Sequence, residues 1–188
     1  MATTLHDLCV PTVLQRLRAV AGILARAADH CAEIGIDADD LVAARLFPDM
    51  APLHFQVEAL KNHAVWGLEA IATGVFAPPP LIGRMPFAAL QAMMRTAIST
   101  VGSRAPETLD RHAGRRQAIE VFLPLDWTRP DQSPWGPRRL DLTSEDFVLS
   151  YTLPNVHFHA VTAHNILRAQ GVPIGKGDYL IQFRPHPA

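Results

Sequence analysis

The residues best suited to do chemistry lie between Thr152 and Thr162, in the run Thr-Leu-Pro-Asn-Val-His-Phe-His-Ala-Val-Thr. At about 100° per residue, Thr152, Asn155, His159 and Thr162 fall together on a helix. They are interleaved with Val148, Val156, Ala163 and Ile166, and so sit inside the apolar sector. Asn155 and His159 are one turn apart and can address the same spot. A buried donor or acceptor without a partner costs roughly 1–3 kcal/mol. Such a line is therefore either a hydrogen-bonded lock between helices or the wall of a site.

A second helix carries matching groups. Leu53, Val57, Leu60, Ala64, Leu68 and Ile71 make its main core stripe, and Phe55, Ala59, Trp66 and Ala70 a second one. Gln56 and His63, two turns apart, lie in the gap between these stripes, while His54, Glu58, Lys61, Asn62 and Glu69 form an expected wet side. If the two inward polar lines face each other, Gln56, His63, Asn155, His159 and Thr162 share one internal site, with Trp66 or Tyr151 in its wall. Three readings follow: a structural polar lock, a ligand pocket without metal, or a metal site on His159 and His63. Pro154 removes a backbone hydrogen bond and bends the helix, either to follow the bundle or to widen the gap beside Asn155 and His159.

The remaining histidines are expected elsewhere. His157 and His164 cluster with Asp146, Ser150 and Arg168 on a solvent stripe, and His6, His30, His112 and His186 show no pattern and read as surface. Gly171-Val-Pro-Ile-Gly175-Lys176-Gly177 is no phosphate loop, because it lacks Ser or Thr after the lysine and follows a helix rather than preceding one. No Ser-His-acid grouping, His-Glu-x-x-His or pair of Cys-x-x-Cys motifs occurs. Cys9 and Cys31 lie on one expected helix, about 33 Å apart at about 1.5 Å per residue. That separation is beyond disulfide reach, and both read as small core residues.

The elements that must position these groups are mostly helical. Leu5 to Ile34 repeats apolar residues at three- and four-residue steps, with Pro11 after the first turn and Gly35 as a cap. A short turn covers Ala38 to Leu46. The second helix is expected from an Asp49 N-cap to Thr73, with Gly74 ending it. Pro78-Pro79-Pro80 is a stiff connector, helix three spans Pro86 to Val101, and Pro106 to Asp110 adds a short turn. Alternation at Ile119, Val121 and Leu123, and again over Arg139 to Leu142, predicts a hairpin across 117–142 around a loop from Leu125 to Pro137. The Arg115-Arg116 and Arg138-Arg139 pairs are its solvated flanks. The last helix starts at Thr143 with a capping box and runs to Gln170, where Gly171 caps it.

With 188 residues, 48% hydrophobic and 19% charged, the chain is expected to form a single domain over 1–188. A net charge of -1 gives no long-range pull on nucleic acid or acidic lipid. The start lacks a secretory signal, and no apolar stretch reads as long enough to cross a bilayer. With reduced thiols, these features place the chain in the cytoplasm. The fold class is mainly α, a helical bundle with a small hairpin before the last helix.

Leu153-Pro-Asn-Val-His-Phe-His159, then Ile166-Leu-Arg168, then Gly171-Val-Pro-Ile-Gly-Lys-Gly-Asp-Tyr179 resembles the C-terminal signature of an uncharacterised bacterial family, domain of unknown function 1993. Arg45-Leu-Phe-Pro-Asp-Met50 followed by Gln56 resembles its second block, and the likeness covers nearly the full length. That family is placed in the DinB/YfiT-like superfamily, which implies a four-helix bundle, often a homodimer. Better-known relatives bind a divalent metal through one histidine on the second helix and a late His-x-x-x-His pair, and some are thiol-dependent transferases. Here His159 matches one late histidine, but Ala163 stands four residues on and Gln56 lies nearest the second-helix position. One clear histidine and two carboxamides suit zinc poorly.

Three functions are open: a pocket for a small-molecule ligand, a DinB-type metal- or thiol-dependent enzyme, and a non-catalytic dimeric structural module. The catalytic residues, if any, are not legible.

Overall fold

Local chemistry sets the helix ends. Thr4 accepts from the Asp7 amide while Asp7 reaches back, a capping box that starts α1 (Leu5–Ile34). Gly35 ends it in the left-handed conformation, which a residue without Cβ adopts without penalty. The computed structural model describes residues 3–124 and 133–180. A 3-10 turn follows α1 at Ala38–Leu41, and Asp39 of that turn accepts the Phe87 amide, capping a distant helix.

α2 (Leu53–Thr73) starts later than expected, with Pro52 and not Asp49 at its N-cap. The amides of Leu53 and His54 are taken by the carbonyls of Ala44 and Val42, so no aspartate is needed to satisfy them. α3 (Phe87–Gly102) and the short α4 (Pro106–Asp110) follow. β1 (Arg116–Pro124) pairs antiparallel with β2 (Trp135–Thr143), in register from Arg116–Thr143 to Pro124–Trp135. Trp135 and Pro137, expected in the loop, are strand residues. β2 is the outer strand of the pair, where a proline without N–H is tolerated. Residues 125–132 of that loop, including Trp127, and His186 lie outside the described residues.

The last long helix is not uniform. α5 (Ser144–Phe147) leads through a π turn at Val148–Thr152 into α6 (Leu153–Ala169), and the Leu153 amide reaches back to the Val148 carbonyl. The widened turn lies immediately before Pro154, where an α-helical ladder would lose a bond and meet the proline ring. α7 (Lys176–Leu180) closes the described chain.

The four long helices pack in a ring, α1 on α3, α3 on α2, α2 on α6 and α6 on α1. Leu17, Ile23 and Leu24 from α1, Leu60, Leu68 and Ile71 from α2, Leu90 and Met94 from α3, and Ile166 from α6 fill the centre. Cys9 and Cys31 are buried free thiols in this core, and desolvation pushes the Cys9 thiol up to about 12. By length and composition α1 could cross a bilayer, contrary to the sequence expectation, with more than half of its apolar window buried in the bundle. The structure is mainly helical, with the hairpin ahead of the last helix.

Candidate functional site

α2 and α6 meet at a hydrogen-bond chain of defined direction. The Gln56 Nε2 donates to the Ala51 carbonyl at 3.0 Å, which turns Oε1 toward α6. That oxygen lies 2.8 Å from His159 Nδ1. A carboxamide oxygen only accepts, so Nδ1 carries the proton and Nε2 keeps the lone pair. Gln56 is 2% exposed and His159 9% exposed. Burial lowers the His159 pKa to about 4, so the ring is neutral at pH 7.

His63 lies one helical layer away. Its ring is nearly parallel to that of His159, with centroids 5.4 Å apart, and stacks on Phe76 at 4.8 Å. Desolvation, with a contribution from His159, lowers its pKa to about 3. Its Nδ1 is buried without a hydrogen-bond partner among the described residues.

These rings face a cavity of about 580 Å³, within the size range of small-molecule sites. Phe55, Ala59, Asn62 and His63 of α2, and Tyr151, Asn155 and His159 of the last helix, form its inner side. Phe76, the three prolines Pro78 to Pro80, and Leu81 cover one edge, and Phe122, Leu123 and Trp135 of the hairpin another. Phe122 and Trp135 stack on each other at the rim and are each more than half exposed.

The covering strap is fastened from beneath. Glu58 is 1% exposed, and its carboxylate accepts the amides of Ile82 at 2.7 Å and Gly83 at 3.3 Å. At the other end of the strap, the Phe76 amide donates to the Glu120 carbonyl and the Glu120 amide to the Gly74 carbonyl. The triple-proline segment is thereby held between α2 and β1.

Several expected positions differ. Glu58 and Asn62, expected on the wet side, are buried, because the strap and the hairpin cover that face of α2. Trp66 is away from the cavity, beneath the Lys61 ammonium at 5.1 Å. Thr162 is buried, but its hydroxyl donates to the Phe158 carbonyl and does not line the cavity. Gln56 acts from behind His159 and is not itself in the wall. Asn155 lines the cavity and donates to the Tyr151 carbonyl at 2.8 Å. Thr152 packs against Gly67, where an added Cβ would fall 2.8 Å from its methyl group.

His157 and His164 are half-buried and not on a solvent stripe. His157 Nδ1 lies 3.2 Å from the Tyr179 hydroxyl, and His164 Nε2 lies 3.2 Å from the Gly175 carbonyl. The C-terminal segment covers them, and Arg16 stacks over the Tyr179 ring while Arg26 pairs with Asp178. His112 is buried as well, with its carbonyl accepting from Ser144.

Asn62 was within reach of sequence reasoning, since Phe55, Ala59 and Asn62 follow the i, i+4, i+7 pattern of one helix face. Glu58 had no such signal, because its partners are backbone amides 24 and 25 residues away.

The donor set bears on the metal that the family resemblance implies. Among the described residues no group of three or more His, Cys, Asp or Glu could hold a metal ion. The cavity offers two imidazoles, two carboxamides and a phenol, which do not fit a three-histidine centre.

This bundle belongs to a recognisable structural class. A solved structure described as a DinB family member protein from Shewanella denitrificans matches with a TM-score of 0.73 and 25% identity, covering 98% of this chain and 95% of that one. The family described as "Domain of unknown function (DUF1993)" matches residues 5–180, and the chain belongs to that family. No curated protein matches it.

Proposed function

We propose that this DinB-like protein binds a small molecule in the cavity between α2, the last helix and the hairpin, with His159 Nε2 as a fixed hydrogen-bond acceptor. The observation that carries this reading is the chain from the Ala51 carbonyl through Gln56 to His159 Nδ1. It holds one tautomer and leaves the other ring nitrogen without a hydrogen bond among the described residues, in a ring that lines the cavity.

Binding is favoured over acid–base turnover by magnitude. With its pKa near 4, His159 is neutral at pH 7 and its one N–H is held by Gln56, so it has no imidazolium proton to give a substrate. Protonating it there costs about 4 kcal/mol, which makes it a weak base for a thiol or a hydroxyl. An efficient acid–base group has a pKa near the working pH.

A polar lock is the second reading, because the same hydrogen-bond chain ties α2 to α6. The two are separated by a thermal-shift screen of small neutral molecules against the wild type and Ala59→Phe, which fills the cavity from a lining position. The binding reading expects compounds that raise the wild-type melting temperature and leave Ala59→Phe unchanged. If no compound raises it, while His159→Ala lowers it sharply, the lock reading stands alone.

A further inference from the structure

Asn62 carries information about what the cavity accepts. It is 5% exposed and lines the cavity, and its Oδ1 is buried with no hydrogen-bond partner among the described residues. A buried, unpartnered carboxamide oxygen in a cavity wall is an acceptor awaiting a donor. His159 Nε2 is a second acceptor in the same wall, for the tautomeric reason given above. No Lys, Arg, Asp or Glu stands among the described lining residues, and both cavity histidines are held neutral by burial. Among the described residues the wall therefore has no fixed charge to compensate a buried ion of either sign, and desolvating an uncompensated ion is far more costly than desolvating a neutral group.

The apolar part of the wall adds shape. Phe55, Phe76, Phe122, Trp135 and Tyr151 present ring faces and edges around the space. Flat aromatic molecules gain offset-stacked and edge-to-face contacts in such surroundings.

We infer that the cavity selects an uncharged aromatic molecule presenting an N–H or O–H donor, and discriminates against carboxylates, phosphates and ammonium ions. This rests on the small-molecule reading of the same cavity. The donor satisfies Asn62 Oδ1 or His159 Nε2, the ring lies among the aromatic side chains, and no counter-charge is required. An analogue lacking the donor leaves a buried acceptor unpaired, which lowers affinity by about tenfold.

Four single-ring probes test this by calorimetric titration of the full chain at pH 7: phenol, anisole, benzoate and benzyltrimethylammonium. Phenol is expected to bind, with anisole about tenfold weaker and both ions weaker still. In Asn62→Leu the phenol-to-anisole ratio is expected to fall toward one. Because that change removes an unsatisfied buried group, the variant is expected to melt no lower than the wild type. Anisole binding as well as phenol overturns the donor requirement. Benzoate or the ammonium ion binding more tightly than phenol overturns the exclusion of charge. Either result leaves the cavity occupied and the small-molecule reading intact. If none of the four binds wild-type protein, that reading fails together with the inference. An unchanged ratio in Asn62→Leu, with phenol still bound, removes Asn62 from the account.

Discussion

The last long helix carries two sets of histidines that look alike in sequence and differ in what they touch. On one side, His157 and His164 meet the Tyr179 hydroxyl and the Gly175 carbonyl, and a segment anchored by Arg16 and Arg26 covers them. On the other side, His159 meets Gln56 with one nitrogen and keeps the second toward a cavity that also holds His63. The difference is in what each ring faces. The first pair is bound to the returning C-terminal segment and fastens the chain to itself, whereas His159 is held from behind by Gln56 and lines a cavity.

Acid should break this contrast first. Folding lowers the pKa of His159 from 6.5 to about 4, so between those values the unfolded chain binds more protons than the folded one. The stability that depends on the neutral ring is complete above pH 6.5 and is lost as the pH falls toward about 4. The loss amounts to roughly 3 kcal/mol for this ring alone, and His63 shifts in the same direction. Urea unfolding from pH 7 to pH 4 is expected to show it, with a shallower dependence in His159→Gln. A dependence identical in the two proteins would remove His159 as the source.

Unfastening the strap should have a similar but smaller effect. Glu58→Leu leaves the amides of Ile82 and Gly83 without their acceptor, at a cost of about 2–3 kcal/mol. The same change is expected to weaken phenol binding, because Leu81 and the prolines form a cavity wall. Retained binding with lost stability would show that the strap supports the fold and not the cavity.

Truncating the two kinds of histidine sharpens the comparison directly. His159→Ala strands the Gln56 Oε1 acceptor in a buried position and is expected to destabilise by about 2 kcal/mol. His157→Ala removes one contact to Tyr179 in a half-buried setting and is expected to cost less than about 1 kcal/mol. Equal melting temperatures for the two variants would contradict the assigned orientation of the helix. Tyr179→Phe, which removes the hydroxyl and keeps the ring beneath Arg16, is expected to have the smallest effect, about 0.5 kcal/mol.

How much of this was legible depended on the sequence distance between partners. Gly35, Gly74 and the apolar spacing of α1, α2 and α3 act over one or two turns, so periodicity and the glycine caps placed those helices, while the start of α2 fell later than Asp49 suggested. The facing of Gln56 and His159 was accessible because His159 lay in an apolar sector and Gln56 in the gap between two apolar stripes, where a lone polar group needs a partner. The burial of Glu58 was not, since its partners are main-chain amides of a connector with no side-chain signature. The covering of His157 and His164 was hidden for a related reason. The segment bearing Gly175 and Tyr179 follows the helix cap, and only the return of the chain onto α1 and α6 brings it over them. Pro154 signalled a disturbance of the helix, but the choice of a π turn depends on which carbonyl the Leu153 amide reaches.

The central claim is that His159 is held as the neutral Nδ1–H tautomer with Nε2 open to the cavity. Nitrogen-15 NMR of the histidine side chains between pH 5 and 8 tests it most directly. The account predicts a protonated, pyrrole-type Nδ1 and an unprotonated, pyridine-type Nε2 that do not titrate in this range, with Nε2 shifting when phenol is added. A ring that titrates near pH 6.5, or one that carries its proton on Nε2, would contradict it.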